Sequence, residues 1–293
     1  MSRTIKWGVI GSGGIARRRT IPEGIIPSRN GELSVVFDLN ADVNQSVAQE
    51  FHAAAAASLD ELLKADIDAV YIASPAYAHF EHVQQCAQAG KHVLCEKPLG
   101  LNVEEAETMI ETCRSRNVLL GTALMMRFHS QHQAALNLIQ QGKLGKPVYG
   151  RAQLSCWYPP MEGAWRQDPV EGGGGSLIDM GGHCIDLLEM FLGPVKKASC
   201  FIHNNVHSYT SEDSAAALLF FESGAMASVD AFFCIPDASS KNMLELYGSQ
   251  GSILAQGTIG QGQAGEMIAY LEGGAGYDAL QKRSEGEGLL INP

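Results

Sequence analysis

Apolar residues in the first 125 positions follow two alternating rhythms. Short, mostly apolar runs at Ile5–Ile10, Leu33–Phe37, Asp68–Ser74, Lys91–Cys95 and Val118–Thr122 read as strands buried on both faces. Between them lie stretches with a single apolar stripe at helical spacing. One starts near Gly14, and others cover Ala41–Phe51, Leu59–Lys64, Tyr77–Gln88 and the segment from the cap Asn102 to Arg116. The punctuation agrees. Asn40 or Asp42 can cap the second helix, Ser58 with Glu61 has the spacing of a capping box, Ser74-Pro75 ends a strand, and Gly90 ends a helix. This alternation predicts a parallel sheet covered on both faces, with ligands bound beyond the carboxyl ends of its strands. The run Ala53–Ala57 has no periodicity and is assigned no conformation.

After Arg127 the rhythm changes. His129–Gln141 predicts a helix closed by Gly142, Val148–Tyr158 a long strand, and Leu177–Leu192 a helix entered through a flexible loop, Gly172–Ser176. Four strand-like segments follow without helices between them: Lys196–His203, Ser214–Phe221, Ala225–Phe233 and Met243–Tyr247. Such a run predicts an open, mainly antiparallel sheet in an α+β domain. Residues Gly257–Asn292 are rich in glycine and are left unassigned.

The first strand runs into Gly11-Ser12-Gly13-Gly14-Ile15-Ala16, which fits G-x-G-x-x-G/A. Gly11 lets the chain turn sharply, Gly13 lets a pyrophosphate approach the backbone, and Ala16 lets the helix lie close on the sheet. The helix N-terminus offers N–H groups and a partial positive charge to an anion. Asp38 ends the second strand, where a carboxylate can accept hydrogen bonds from ribose hydroxyls and repel a 2′-phosphate. Leu39 and Asn40 supply no arginine for such a phosphate, so NAD is expected in preference to NADP, which stays open as an alternative. The expected architecture is an α/β Rossmann domain over residues 1–125 followed by an α+β domain over 126–293.

Composition narrows the partners. With 45% hydrophobic and 18% charged residues among 293, a globular protein with a sizeable core is expected. A net charge of −11 argues against nucleic acid and anionic membranes as partners. Seven cysteines without a C-x-x-C pair point to reduced thiols rather than a disulfide framework. A strand begins within a few residues of Met1 and no apolar run approaches a membrane span, so a cytoplasmic protein is expected.

Three stretches carry candidate chemistry. Lys97, in Cys95-Glu96-Lys97-Pro98, lies at a strand's carboxyl end, where a partly dry cleft lowers a lysine's pKa and suits proton exchange. Asp179, His183 and Asp186 are spaced i, i+4, i+7 and share one helix face, where a carboxylate beside a histidine suits general acid/base work. A metal site is ranked lower, because it needs more convergent ligands, and none is assigned. Trp157-Tyr158 and Trp165-Arg166 combine aromatic faces with a cation, a set that fits a sugar-like ligand or ordinary core packing.

In this order, together with Ser74-Pro75-Ala76-Tyr77-Ala78-His79 and Ala89–Leu99, these motifs resemble the glucose–fructose oxidoreductase, inositol dehydrogenase and rhizopine-catabolism (Gfo/Idh/MocA) family over residues 5 to about 255. The resemblance implies a nicotinamide-dependent oxidoreductase transferring hydride to or from a sugar, cyclitol or related polyol. Carried over by position, Lys97, Asp179 and His183 form the catalytic set. The cofactor side comprises Gly11, Ser12, Gly13, Gly14, Ile15, Asp38, Ser74, Pro75, His79, Glu96, Lys97 and Arg166. The substrate side is expected to use Lys97, Arg127, Tyr158, Trp165, Asp179 and His183. The open sheet face implies a homodimer or homotetramer. Members usually continue with a helix that packs back on the nucleotide domain, so the 126–293 domain is expected to lack a C-terminal part. Two rival readings are a non-catalytic dinucleotide- or sugar-binding sensor and an NAD-dependent glycosidase.

Overall fold

The computed structural model describes residues 3–271, 279 and 287–292. The chain forms two compact units, Met1–Ala123 with Val170–Gly173, and Leu124–Pro169 with Gly174–Pro293. In the first, β1 (Ile5–Ile10), β2 (Gly31–Phe37), β3 (Ala54–Ala55), β4 (Ala69–Ile72), β5 (His92–Cys95) and β6 (Leu120–Thr122) form a parallel sheet in the order β3-β2-β1-β4-β5-β6. The order reverses between β1 and β4, the switch point at which open α/β sheets bind ligands. Alternate side chains enter two cores on opposite faces. Val9, Val36 and Tyr71 pack on one side with Ile21 and Val47, while Ile10 and Ile72 pack on the other with Val83 and Met109. This two-sided burial explains the continuous apolar runs in the strands.

The alanine run supplies an edge strand, with Ala54 and Ala55 paired to Val35 and Val36. Asn44 Nδ2 donates to Ala56 O (2.8 Å), tying the run to the helix α1 (Ala41–Glu50). Asn40 caps α1 by accepting from Asp42 N and Val43 N. Ser58 caps α2 (Leu59–Lys64), and Glu61 reaches back to Ala57 N (2.7 Å), completing the box. The helix after β1 is of π type over Ser12–Ile25 with Pro22 inside it, and it starts two residues earlier than the pattern predicts. The helices α3 (His79–Gln88) and α4 (Val103–Ser115) complete the layers.

In the second unit, eight strands run in the order β14-β13-β12-β11-β7-β10-β9-β8. They are β7 (Pro147–Ser155), β8 (Val195–His203), β9 (Ser214–Phe221), β10 (Met226–Phe232), β11 (Met243–Gly248), β12 (Gly251–Gln256), β13 (Glu266–Tyr270) and β14 (Gly288–Leu290). Only β7 and β10 pair in parallel; the other neighbours are antiparallel. Beside α5 (Ser130–Gln140), the expected helix Leu177–Leu192 divides into a π turn, Leu177–Gly181, and α7 (Gly182–Leu192); the single turn α6 (Pro169–Gly172) belongs from Val170 on to the first unit. Leu187, Leu188 and Phe191 of α7 share one core with Leu244, Leu246 and Ile253. The opposite face leaves Leu218 and Met226 exposed, and Phe201 on the edge strand β8 is 84% exposed.

Part of the unassigned stretch Gly257–Asn292 is strand, β13 and β14, and the remainder includes residues outside the described set. The β7 strand ends at Ser155 rather than Tyr158, because beyond it only Trp157 keeps a bridge, to Cys234. Gly172–Ser176, expected to be flexible, is held at its C-terminal half by hydrogen bonds from Gly175 N, Ser176 N and Leu177 N to Glu212. Among the described residues no helix is long and apolar enough to cross a membrane.

One buried histidine makes this unit sensitive to acid. His132 in α5 is fully buried, with Nδ1 2.8 Å from Met126 O and Nε2 3.1 Å from the Thr258 hydroxyl. A neutral ring satisfies both contacts, donating to the carbonyl and accepting from the hydroxyl. Burial pushes its pKa down to about 4 against the opposing pull of the Met126 carbonyl, with His129 adding to the fall. A depressed histidine pKa means that the unfolded chain binds the extra proton first. The contribution is therefore complete above the ordinary value near 6.5 and is lost as pH falls towards 4. We expect the melting temperature to drop over that window by the equivalent of roughly 3 kcal/mol from this group. Parallel melts of His132→Gln should be lower at neutral pH and lack most of that slope; an identical slope would remove His132 as the cause.

Candidate active site

The site of the first unit begins where β1 ends. Gly11 has φ +76, and a Cβ there would lie 2.6 Å from Ser74 N and 2.7 Å from Ala73 C. Only glycine lets the turn lie on the backbone that leaves β4. The turn is tied sideways by Gly11 N donating to Phe37 O (2.9 Å). Asp38 closes it: Oδ2 accepts from Gly13 N (3.1 Å) and Oδ1 from Asn40 N (3.0 Å). A Cβ on Gly13 would lie 2.7 Å from Val43 Cγ1, so its smallness also serves packing against α1, while Gly14 has nothing within 4 Å of its Cβ position. Ser12 is fully buried and its Oγ has no hydrogen-bond partner, while Ile15 is half-buried. An open glycine, first-turn N–H groups without intrahelical partners and a fixed carboxylate beside them fit a dinucleotide's pyrophosphate and ribose.

Ser74 and Pro75 follow β4, and Glu96 and Lys97 follow β5. The Lys97–Pro98 bond is cis. His79, expected among the cofactor-lining residues, is 1% exposed, with Nδ1 2.8 Å from Pro98 O and Nε2 2.9 Å from Ser74 O. It clamps the two loops to one another instead of facing a ligand. Burial lowers its pKa, with the Pro98 and Ser74 carbonyls pulling the other way. Ser74 Oγ lies 2.9 Å from His82 Nδ1. The Glu96 carboxylate accepts from the Tyr71 hydroxyl (2.6 Å) and from Lys97 N (3.2 Å). Tyr71 escaped the sequence reading because a tyrosine in a buried strand looks like any apolar core residue.

In the second unit the expected triplet Asp179, His183 and Asp186 is held by arginines. Arg166 Nε donates to Asp179 Oδ1 (2.8 Å), and its guanidinium stacks 4.1 Å from the centre of the Trp165 ring. Burial works against the Arg166 charge, but the Asp179 carboxylate and the Tyr158 oxygen outweigh it and hold the guanidinium above its ordinary pKa. Trp165, Tyr158 and Arg166 thus form one support under Asp179 (19% exposed) rather than a set of separate ligand contacts. Asp186 is also redirected: both its oxygens accept from Arg127 Nε (2.8 Å each). It anchors Arg127, whose side chain remains 39% exposed. His183 is 7% exposed on α7.

Glu212 is the second residue that the sequence did not reveal. Gly175 N (2.8 Å) and Leu177 N (2.9 Å) donate to its carboxylate and Ser176 N donates to its carbonyl (3.0 Å). A Cβ on Gly175 would lie 2.0 Å from that carbonyl oxygen. The glycine run therefore admits Glu212 to the start of the helical stretch that carries Asp179, and Asp179 N closes the next turn on Gly175 O (3.0 Å). Glu212 stands in a loop before a strand with no motif around it. Among the described residues no group of three or more His, Cys, Asp or Glu could hold a metal ion.

Comparison with known proteins identifies the family. Residues 5–124 match the model of the oxidoreductase family with an NAD-binding Rossmann fold, and residues 132–254 match the GFO/IDH/MocA C-terminal domain. The chain is 30% identical over 266 residues to a 1,5-anhydro-D-fructose reductase of Ensifer adhaerens, covering 89% of this chain and 79% of that one. It is 29% identical over 251 residues to trans-1,2-dihydrobenzene-1,2-diol dehydrogenase of Mus musculus, covering 84% and 73%. The WlbA dehydrogenase from Bordetella pertussis, solved with NADH and UDP-GlcNAcA, superposes with a TM-score of 0.81 at 25% identity, covering 88% of this chain and 75% of that one. The chain belongs to the Gfo/Idh/MocA oxidoreductase family and has its NAD(P)-binding Rossmann domain.

Proposed function

We propose that this oxidoreductase is an NAD-linked dehydrogenase or reductase of a sugar, cyclitol or related polyol. The observation that carries the cofactor choice is the Asp38 carboxylate, fastened to Gly13 N and Asn40 N at the end of β2. A 2′-phosphate would bring a second negative charge against it, whereas ribose hydroxyls donate to it. The substrate class is supported by relatives named for acting on anhydrofructose and on a dihydrodiol.

When bound, the nicotinamide supplies the hydride chemistry. Gly11 to Ile15, Asp38, Ser74, Pro75 and the Glu96–Lys97 turn are the residues assigned to hold it, with Arg166 carried over from the resemblance. His183 takes the hydroxyl proton during oxidation and returns it during reduction. Asp179 orients it and is itself oriented by Arg166. Lys97 is assigned as a hydrogen-bond donor to a substrate oxygen, stabilising its developing negative charge. Arg127, fixed by Asp186, is assigned as a donor to another substrate hydroxyl, with Tyr158 and Trp165 shaping that side. The second unit would thus serve both substrate binding and assembly. We also place the protein in the cytoplasm as a homo-oligomer, since all seven cysteines are free and the outer sheet face exposes Leu218, Phe220 and Met226.

Calorimetry should show NAD binding at least tenfold tighter than NADP, a gap of about 1.4 kcal/mol or more, that closes in Asp38→Ala. A panel of sugars and polyols, including 1,5-anhydro-D-fructose, should change the absorbance of the reduced nicotinamide. Lys97→Met should lower kcat by roughly 100-fold while leaving the NAD Kd within about threefold. Tight NAD binding without turnover of any panel member would reject the dehydrogenase reading in favour of a sensor. Light scattering should give a dimer or tetramer, and Leu218→Glu with Met226→Glu should dissociate it; an unchanged mass would clear that face of the role.

A further inference from the structure

We propose that Tyr71, a residue of the buried strand β4, positions the Glu96–Lys97 turn for the reaction. Its phenol holds the Glu96 carboxylate, and Glu96 in turn holds the peptide N–H from which Lys97 departs. The inference rests on the reading of Lys97 as the residue that polarises the substrate oxygen.

Three hydrogen bonds converge on the Glu96 carboxylate, two in sequence through Tyr71 and one from Lys97. Thr20 Oγ1, on the helix that follows the glycine turn, lies 2.9 Å from the Tyr71 oxygen and donates to it. The Tyr71 hydroxyl donates to Glu96 Oε1 at 2.6 Å. Glu96 Oε2 accepts from Lys97 N at 3.2 Å. The carboxylate can only accept, so the phenol proton must point at it, and the phenol oxygen is left to take the Thr20 proton. Burial and the adjacent Glu96 charge both push the Tyr71 phenol above its ordinary pKa, so the proton stays on it. The Thr20 and Tyr71 donors run in one sense and strengthen each other, and the carboxylate acceptor makes the Tyr71 link short.

The chain crosses three elements that bound the cofactor turn: the glycine-turn helix, β4 and the end of β5. Tyr71 is 1% exposed, so it touches no ligand and can act only through Glu96. Both Glu96 oxygens are engaged with the protein, which gives that residue the task of aiming the turn.

Tyr71→Phe removes the hydroxyl and keeps the ring. Three measurements on the full chain test the idea: hydrogen exchange of the peptide containing Lys97 N, kcat on the fastest panel substrate beside the NAD Kd, and the melting temperature. Amide exchange at Lys97 should quicken at least tenfold and kcat should fall roughly 10-fold while the NAD Kd stays within about threefold. Thr20→Val should quicken exchange and lower kcat by less. Unchanged exchange, or faster exchange with wild-type kcat, overturns the proposal, the latter by reducing Tyr71 to a stability role. If Lys97→Met turns over like wild type, the reading of Lys97 fails and takes this proposal with it. If Lys97→Met is inactive and Tyr71→Phe is normal, only the proposal fails.

Discussion

The contact between Gly11 and the backbone of Ala73 and Ser74 is the constraint on which the nucleotide unit depends. At the reversal of strand order, two strand ends must separate to leave room for a ligand, yet their turns must still pack. Gly11 resolves this with a positive φ and no Cβ, lying 2.6 Å at its missing Cβ from Ser74 N. Everything assigned to the cofactor is arranged around that approach. Asp38 fastens the glycine turn from β2, and His79 fastens the Ser74 loop to the Pro98 loop. A bulkier side chain at position 11 would push these loops apart together.

The second unit organises its charges differently. Carboxylates leaving water require a compensating partner, and two of them here are given an arginine with fixed geometry. Asp179 has Arg166 and Asp186 has Arg127. The pairs set the orientation of both members, so a potential ligand contact on one residue is preset by the other. Trp165 adds its ring face to the Arg166 guanidinium, a favourable cation–π geometry that also covers the charge. Glu212 performs a related task for the backbone by accepting the N–H groups at the start of the helical stretch Leu177–Leu192. The same carboxylate chemistry thus serves three purposes: turning a helix start, aiming a cation, and closing a glycine turn.

Much of the fold was legible because period and punctuation agree along the chain. Two-sided burial makes the Rossmann strands continuous apolar runs, and the caps Asn40, Ser58 and Asn102 mark helix starts by local hydrogen bonding. Ala53–Ala57 and Gly257–Asn292 were opaque for the opposite reason. Alanine and glycine carry no facing preference, so only pairing with Val35 and Val36, or between β12 and β13, decides their conformation. The division of Leu177–Leu192 into a π turn and α7 was equally invisible, since both present nearly the same face to the core.

The sequence by itself determined the two-part architecture, the glycine turn with its acidic partner, and the identity of the residues rich in chemistry. Those features depend on neighbours within a few positions or on a fixed strand-to-strand interval. The tertiary structure decided which partner each charge meets. Spacing along a helix placed Asp186 with His183, but Arg127, fifty-nine residues away, reaches its carboxylate. It also decided that Tyr71 and Glu212 matter and that His79 faces backbone rather than ligand. The reason is physical: a buried polar group takes whichever donor or acceptor the packed chain brings within 3 Å, and that neighbour is set by the whole fold.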